Sequence, residues 1–250
     1  MRDEEILKYL PKDTAPGANG IGTLSEKSVH GFLKNLYMPD HDKQEVRVGQ
    51  FIADIFDGYS VTEIQTGHFA VLRRKLDYYL PRFPVCVVCP VVCETCIVWT
   101  DPETGAASPP RKSPRHANAS EALHELWQIR DYLCHPNLTI DVVLVRAEEY
   151  RVRNGRGKSR SKGTIKIDRV PTELLEILRF RSAEDYRMFL PPDLPECFSV
   201  SDFRLSSKLR PRQAYSAVHV LETIGLIEEA EAPERKAKKG KTPKQYRVRV

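Results

Sequence analysis

Asp54, Glu63 and Gln65 lie close enough in the chain to share one face of a hairpin. Two carboxylates that close can hold one hard cation between them. All three residues belong to FIADIFDGYSVTEIQT, residues 51–66. Asp57-Gly58 between alternating apolar runs predicts a two-residue type I′ turn, because these residues tolerate its positive φ angles. That turn places Phe56 opposite Tyr59, Asp54 opposite Val61 and Ile52 opposite Glu63. Side chains alternate faces along a strand, so Asp54, Glu63 and Gln65 point the same way. Asp54 and Glu63 become diagonal neighbours with Cα atoms about 7–8 Å apart. Gly49-Gln50 predicts a type II′ turn, with Val48 opposite Phe51 and Glu45 opposite Asp54. Three adjacent acids destabilise a sheet unless positive charge offsets them. Mg²⁺ or Mn²⁺, held by carboxylates and waters, would do so.

An Asp on one strand and Glu-x-Gln on the next, followed by a helix and an apolar strand, resembles the PD-(D/E)XK, or restriction-endonuclease-like, nuclease core. The resemblance spans roughly residues 23 to 100. It matches the motif Asp to Asp54 and the second acid to Glu63, while the Lys position falls on Gln65. It implies an α/β (α+β) fold with a mixed sheet flanked by helices. It also implies phosphodiester hydrolysis with Asp54 and Glu63 as metal ligands, helped by Glu45 or Glu26. Gln65 would orient the attacking water. Glu26 has a second reading, as the last member of a Thr23-x-x-Glu26 capping box.

The positioning elements follow from periodicity. Val29, Phe32, Leu33 and Leu36 predict a helix over 23–37. Phe69, Leu72, Leu76, Tyr79 and Leu80 predict another over 67–80, stopped by Pro81. Arg73, Arg74 and Lys75 lie off its stripe, on a solvated or phosphate-facing side. FPVCVVCPVV reads as a buried strand, and CETCIV as a second. Cys86, Cys89, Cys93 and Cys96 have metal-ligand spacing, but residues three apart on a strand face opposite ways, which favours buried thiols. Cys134 and Cys197 read as core. Asn118-x-x-Glu121 opens a helix, and Leu138–Val145 reads as a strand.

The predicted organisation is a flexible segment over 1–22, a nuclease-like domain over 23–150, a basic linker with a short helix over 151–182, and a winged domain over 183–250. Residues 151–169 carry eight Lys and Arg against one Asp, a composition suited to nucleic acid. Within 183–250, a helix, a turn at Arg210-Pro211, a second helix ending at Gly225 and two strands resemble a winged helix-turn-helix. Its second helix would turn Arg212, Gln213, Tyr215, Ser216 and His219 to DNA, and its flap would add Lys238, Lys239 and Lys241. A further basic cluster, Arg111, Lys112 and Arg115, is either a phosphate contact or a solvated loop.

Net charge is +5 over 250 residues, and no apolar run reaches membrane length. These features favour a cytoplasmic protein with no membrane partner. The leading function is a metal-dependent DNA endonuclease, with RNA left open as substrate and a homodimer needed for paired cuts in duplex. The alternative is a non-catalytic DNA-binding or transcription-regulatory protein with an inactive nuclease-like core.

Overall fold

The computed structural model describes residues 28–101, 104–153, 164–230 and 243–249. Its centre is a mixed sheet in which helix α1 (Ser28–Tyr37) precedes strands β1 (Gln44–Val48), β2 (Phe51–Phe56) and β3 (Val61–Ile64). A 3₁₀ turn at Phe69–Leu72 leads into α2 (Arg73–Tyr79), and then β4 runs over Val85–Thr100. β5 (Arg111–His116), α3 (Ala122–Leu126), β6 (Leu138–Arg153) and β7 (Thr164–Phe180) follow. Strand order is β1-β2-β3-β4-β6-β7, with β5 paired to β4. The first three strands form an antiparallel meander. β4 lies parallel to β3, and β6 parallel to β4. Parallel neighbours need a long crossover, which α2 and α3 supply.

The predicted stripe of α1 is buried: Val29, Phe32, Leu33 and Leu36 pack on Ile55, Ile64, Val88 and Val143. α2 buries Leu76 and Tyr79 in a second cluster, shared with Leu123 and Leu126 of α3. Beyond a 3₁₀ turn at Ala183–Phe189 come α4 (Val200–Ser207), α5 (Pro211–Thr223) and the antiparallel pair β8 (Ile227–Ala230) and β9 (Gln245–Val248). Ser199 and Asp202 cap α4 reciprocally, and Gly225 at φ +82° ends α5. Ala217, Val218 and Leu221 of α5 join the cluster that holds α2 and α3. Apolar packing therefore continues across the predicted boundary at residue 183.

Four expectations need correction. The short helix expected within 151–182 is strand instead: β6 extends to Arg153, and β7 takes in Pro171–Arg179, while residues 154–163 of the expected linker lie outside the described residues. Leu174, Leu178 and Phe180 also fit a two-residue period, and pairing with β6 selects it. Pro171 is tolerated because β7 is an edge strand. CETCIV continues β4 instead of forming a second strand, and the basic cluster at 111–116 is a strand, β5. Cys134 and Cys197 are exposed, not core.

The β1–β2 turn behaves as predicted, with Val48 opposite Phe51 and Gly49 at φ +63°. A Cβ at Gly49 would collide with the Tyr78 ring. Gly49→Ala is therefore expected to lower stability by about 1–3 kcal/mol, read as a reduced urea midpoint.

Candidate functional site

The β2–β3 connection has four residues. Asp57 Oδ1 accepts the Tyr59 and Ser60 backbone N–H groups at 2.8 and 2.6 Å, and Ser60 Oγ donates to Oδ2 at 3.0 Å. Phe56 then pairs with Val61 instead of Tyr59, two positions from the predicted register. A shift of two preserves the faces. Continued one step past Ile55 opposite Thr62, it brings Asp54 from a diagonal to a directly facing position against Glu63.

The ladder stops there. Asp54 Oδ2 accepts the Ile64 N–H at 2.7 Å, replacing a carbonyl of β2, and His30 Nε2 of α1 lies 3.2 Å from the same oxygen. Burial disfavours the Asp54 charge, but the contacts with His30 and the Ile64 N–H outweigh it and hold the carboxyl below its usual range.

Glu63 is 2% exposed, and its two oxygens receive Lys75 Nζ of α2 at 2.7 and 3.0 Å. Lys75 also donates to Ile52 O at 2.7 Å. Burial first, and then the nearby Asp54 charge, push the Glu63 carboxyl up to about 7 despite Lys75. Glu45 adopts φ +53° and is ion-paired to the buried Lys34 at 2.7 Å. The positive charge expected from a divalent ion is thus met in part by side chains of α1 and α2.

Gln65 departs from its expected role. Its Nε2 donates to Gly67 O, so the amide is spent on its own turn. Glu26 lies outside the described residues. Among the described residues, no group of three or more His, Cys, Asp or Glu converges as a metal site. The four β4 cysteines are free thiols, and burial pushes Cys89 up to about 12.

The nucleic-acid candidates divide. Arg111 and Lys112 are exposed on β5, and Arg115 is paired to Glu121 at 2.6 Å. On α5, Arg212 and Tyr215 are exposed, and the half-buried His219 touches Tyr215 and Glu222. Gln213 and Ser216 do not face outward. Gln213 Nε2 donates to Glu121 at 2.9 Å, and Ser216 is buried against His124 at 3.0 Å. They sit on the side of α5 that packs on α3. Lys238, Lys239 and Lys241 fall outside the described residues.

His30 and Lys75 are the site residues that sequence reasoning missed. Lys75 lies three residues after Leu72 and four before Tyr79, so it flanks the buried stripe within reach of a buried acid. His30 follows Val29 on α1 and carried no comparable signal.

Residues 27–181 match a family described as a domain of unknown function, DUF8091. The chain belongs to the DUF8091 family. The matched region holds α1 to β7, with Asp54, Glu63 and Lys75, and ends before α4. An uncharacterized protein of Treponema pallidum (strain Nichols) is 31% identical over 184 residues, covering 73% of this chain and 72% of that protein. No solved structure matches the chain. Among the described residues, no helix is long and apolar enough to cross a membrane.

The raised Glu63 carboxyl has a sign that can be checked. Between about 4.5 and 7 the folded chain binds the Glu63 proton more tightly than the unfolded chain, so stability falls as pH rises through that window. Relative to Glu63→Gln, the wild type should lose on the order of 3 kcal/mol across it. Urea midpoints at several pH values measure this. A constant difference would contradict it.

Proposed function

We propose that this protein is a metal-dependent DNA endonuclease with a restriction-endonuclease-like core and a C-terminal winged helix-turn-helix. The observation that carries the reading is Asp54 one step past the last β2–β3 pair, bonded to the Ile64 N–H, with Lys75 on Glu63 of the neighbouring strand. The element order supports it: helix, three antiparallel strands, helix, then a strand parallel to the third. The order α4, turn, α5, β8, β9 supports the winged module, and exposed Arg212 and Tyr215 suit phosphate and base contacts.

The residues present fit Mg²⁺ or Mn²⁺. Burial and the nearby Asp54 charge raise the Glu63 carboxyl even beside Lys75, so the acid pair remains short of positive charge. Asp54 and Glu63 supply hard oxygen donors and would hold the ion. When bound, it would lower the pKa of a water and offset charge on the phosphodiester. His30 keeps Asp54 ionised and aligned. Lys75 takes the cationic part that Gln65 lacks: its ammonium can leave one Glu63 oxygen and donate to a phosphate oxygen as negative charge builds. Glu45, held by Lys34, supports the rim, not the donor set.

The burial of Glu63 under Lys75 favours one second reading, a DNA-binding regulator with an inactive core. Plasmid and oligonucleotides incubated with Mg²⁺ or Mn²⁺ separate the two. We expect wild-type cutting, none with Asp54→Ala, and a loss of about 10²–10³-fold with Lys75→Ala at unchanged binding. Binding without cutting by the wild type would favour the regulator.

A further inference from the structure

The sheet narrows at the end of β3. Gln65 N–H still bonds Val88 O at 2.9 Å, but from Pro90 onward β4 has lost β3 as a neighbour. β4, β6 and β7 run on as an arm: β4 and β6 pair from Pro90 opposite Val143 to Thr100 opposite Val152, and β6 and β7 pair out to Arg153 opposite Thr164. Two cavities, of about 240 and 270 Å³, occupy the corner between this arm and the end of β3. Thr66, Pro90, Val92 and Arg169 line both. Val29 of α1 and Lys166, Ile167 and Asp168 of β7 complete the lining of the first cavity.

Around Glu149 the arm carries more positive charge than that one acid needs. Glu149, 2% exposed, receives Arg151 Nε at 2.6 Å and Arg169 Nε at 2.7 Å, with Lys166 Nζ at 3.2 Å. Three cations thus share one carboxylate. Asp168, on the wall of the first cavity, is engaged by the backbone N–H and hydroxyl of Ser28. The terminal guanidinium nitrogens of Arg169 make no hydrogen bond to the described residues. Arg169 is 40% exposed and Lys166 is 57% exposed, so both can reach a ligand without leaving Glu149 uncompensated.

We propose that Arg169 and Lys166 form a phosphate subsite that seats a nucleic-acid strand in this corner, past the end of β3. The inference rests on the hydrolase reading for its ligand, but its residues bind and do no chemistry. A planar guanidinium fork anchored through Nε and open at its end suits a phosphodiester oxygen pair.

The test is anisotropy with a fluorescein-labelled oligonucleotide, single-stranded and duplex, between about 50 and 200 mM salt without divalent ions. Lys166→Gln/Arg169→Gln should bind about tenfold more weakly, with a log–log salt slope shallower by about 2. If thermal melting shows the double variant unfolded, Lys166→Gln alone is read, with a slope shallower by about 1. Wild-type affinity and slope in the variant would overturn the subsite and leave the hydrolase reading standing. A wild type that binds neither oligonucleotide sinks both, whereas binding with no cutting sinks the hydrolase reading alone.

Discussion

The hydrogen bond from the Ile64 N–H to the Asp54 carboxylate is the constraint on which the site depends. A ladder position normally filled by a carbonyl is filled by a side-chain acid. That substitution ends β2–β3 pairing and fixes Asp54 as a partly buried anion. It also commits β3 to β4 on its other side, since Ile64 still pairs with Val88. The point where two strands part is therefore also the point where an acid is held.

The surrounding fold manages the charge this creates. A buried carboxylate is expensive unless paired and hydrogen-bonded. α1 contributes Lys34 and His30, and α2 contributes Lys75. Each helix is placed by an apolar stripe on one face of the sheet, and each delivers its cation from the edge of that stripe. Packing and electrostatics are thus the same decision made twice. Glu63 remains the least compensated member, because one ammonium is set against both burial and the Asp54 charge. Distant groups follow the same logic more completely. Asp141, fully buried, takes both arms of the Arg179 fork at 2.8 Å and the Tyr37 hydroxyl at 2.8 Å.

Much of this was legible in the residue order. The stripes of α1 and α2 and the Gly49 turn follow from local periodicity and turn chemistry. The register error at Asp57-Gly58 arose because the Asp57 side chain can bridge two backbone N–H groups and stretch the turn to four residues. Its even size spared the faces. β7 was misread because TELLEIL satisfies both a helical and a strand period, and only β6 decides between them. Gln213 and Ser216 were assigned outward because the contact of α5 with α3 is long-range and leaves no mark on local pattern. Gln65 was assigned from its place in a motif, whereas its amide reaches the nearest free carbonyl, Gly67 O.

On the hydrolase reading, Asp54 and Glu63 form a site short of positive charge that a divalent ion would complete. Carbon NMR of glutamate carboxyls, with Glu63 assigned by its loss in Glu63→Gln, tests this directly. Glu63 is expected to titrate near 7 without Mg²⁺ and to move into the ordinary glutamate range or below when Mg²⁺ is added. A Glu63 titration that is unmoved by Mg²⁺ would contradict it.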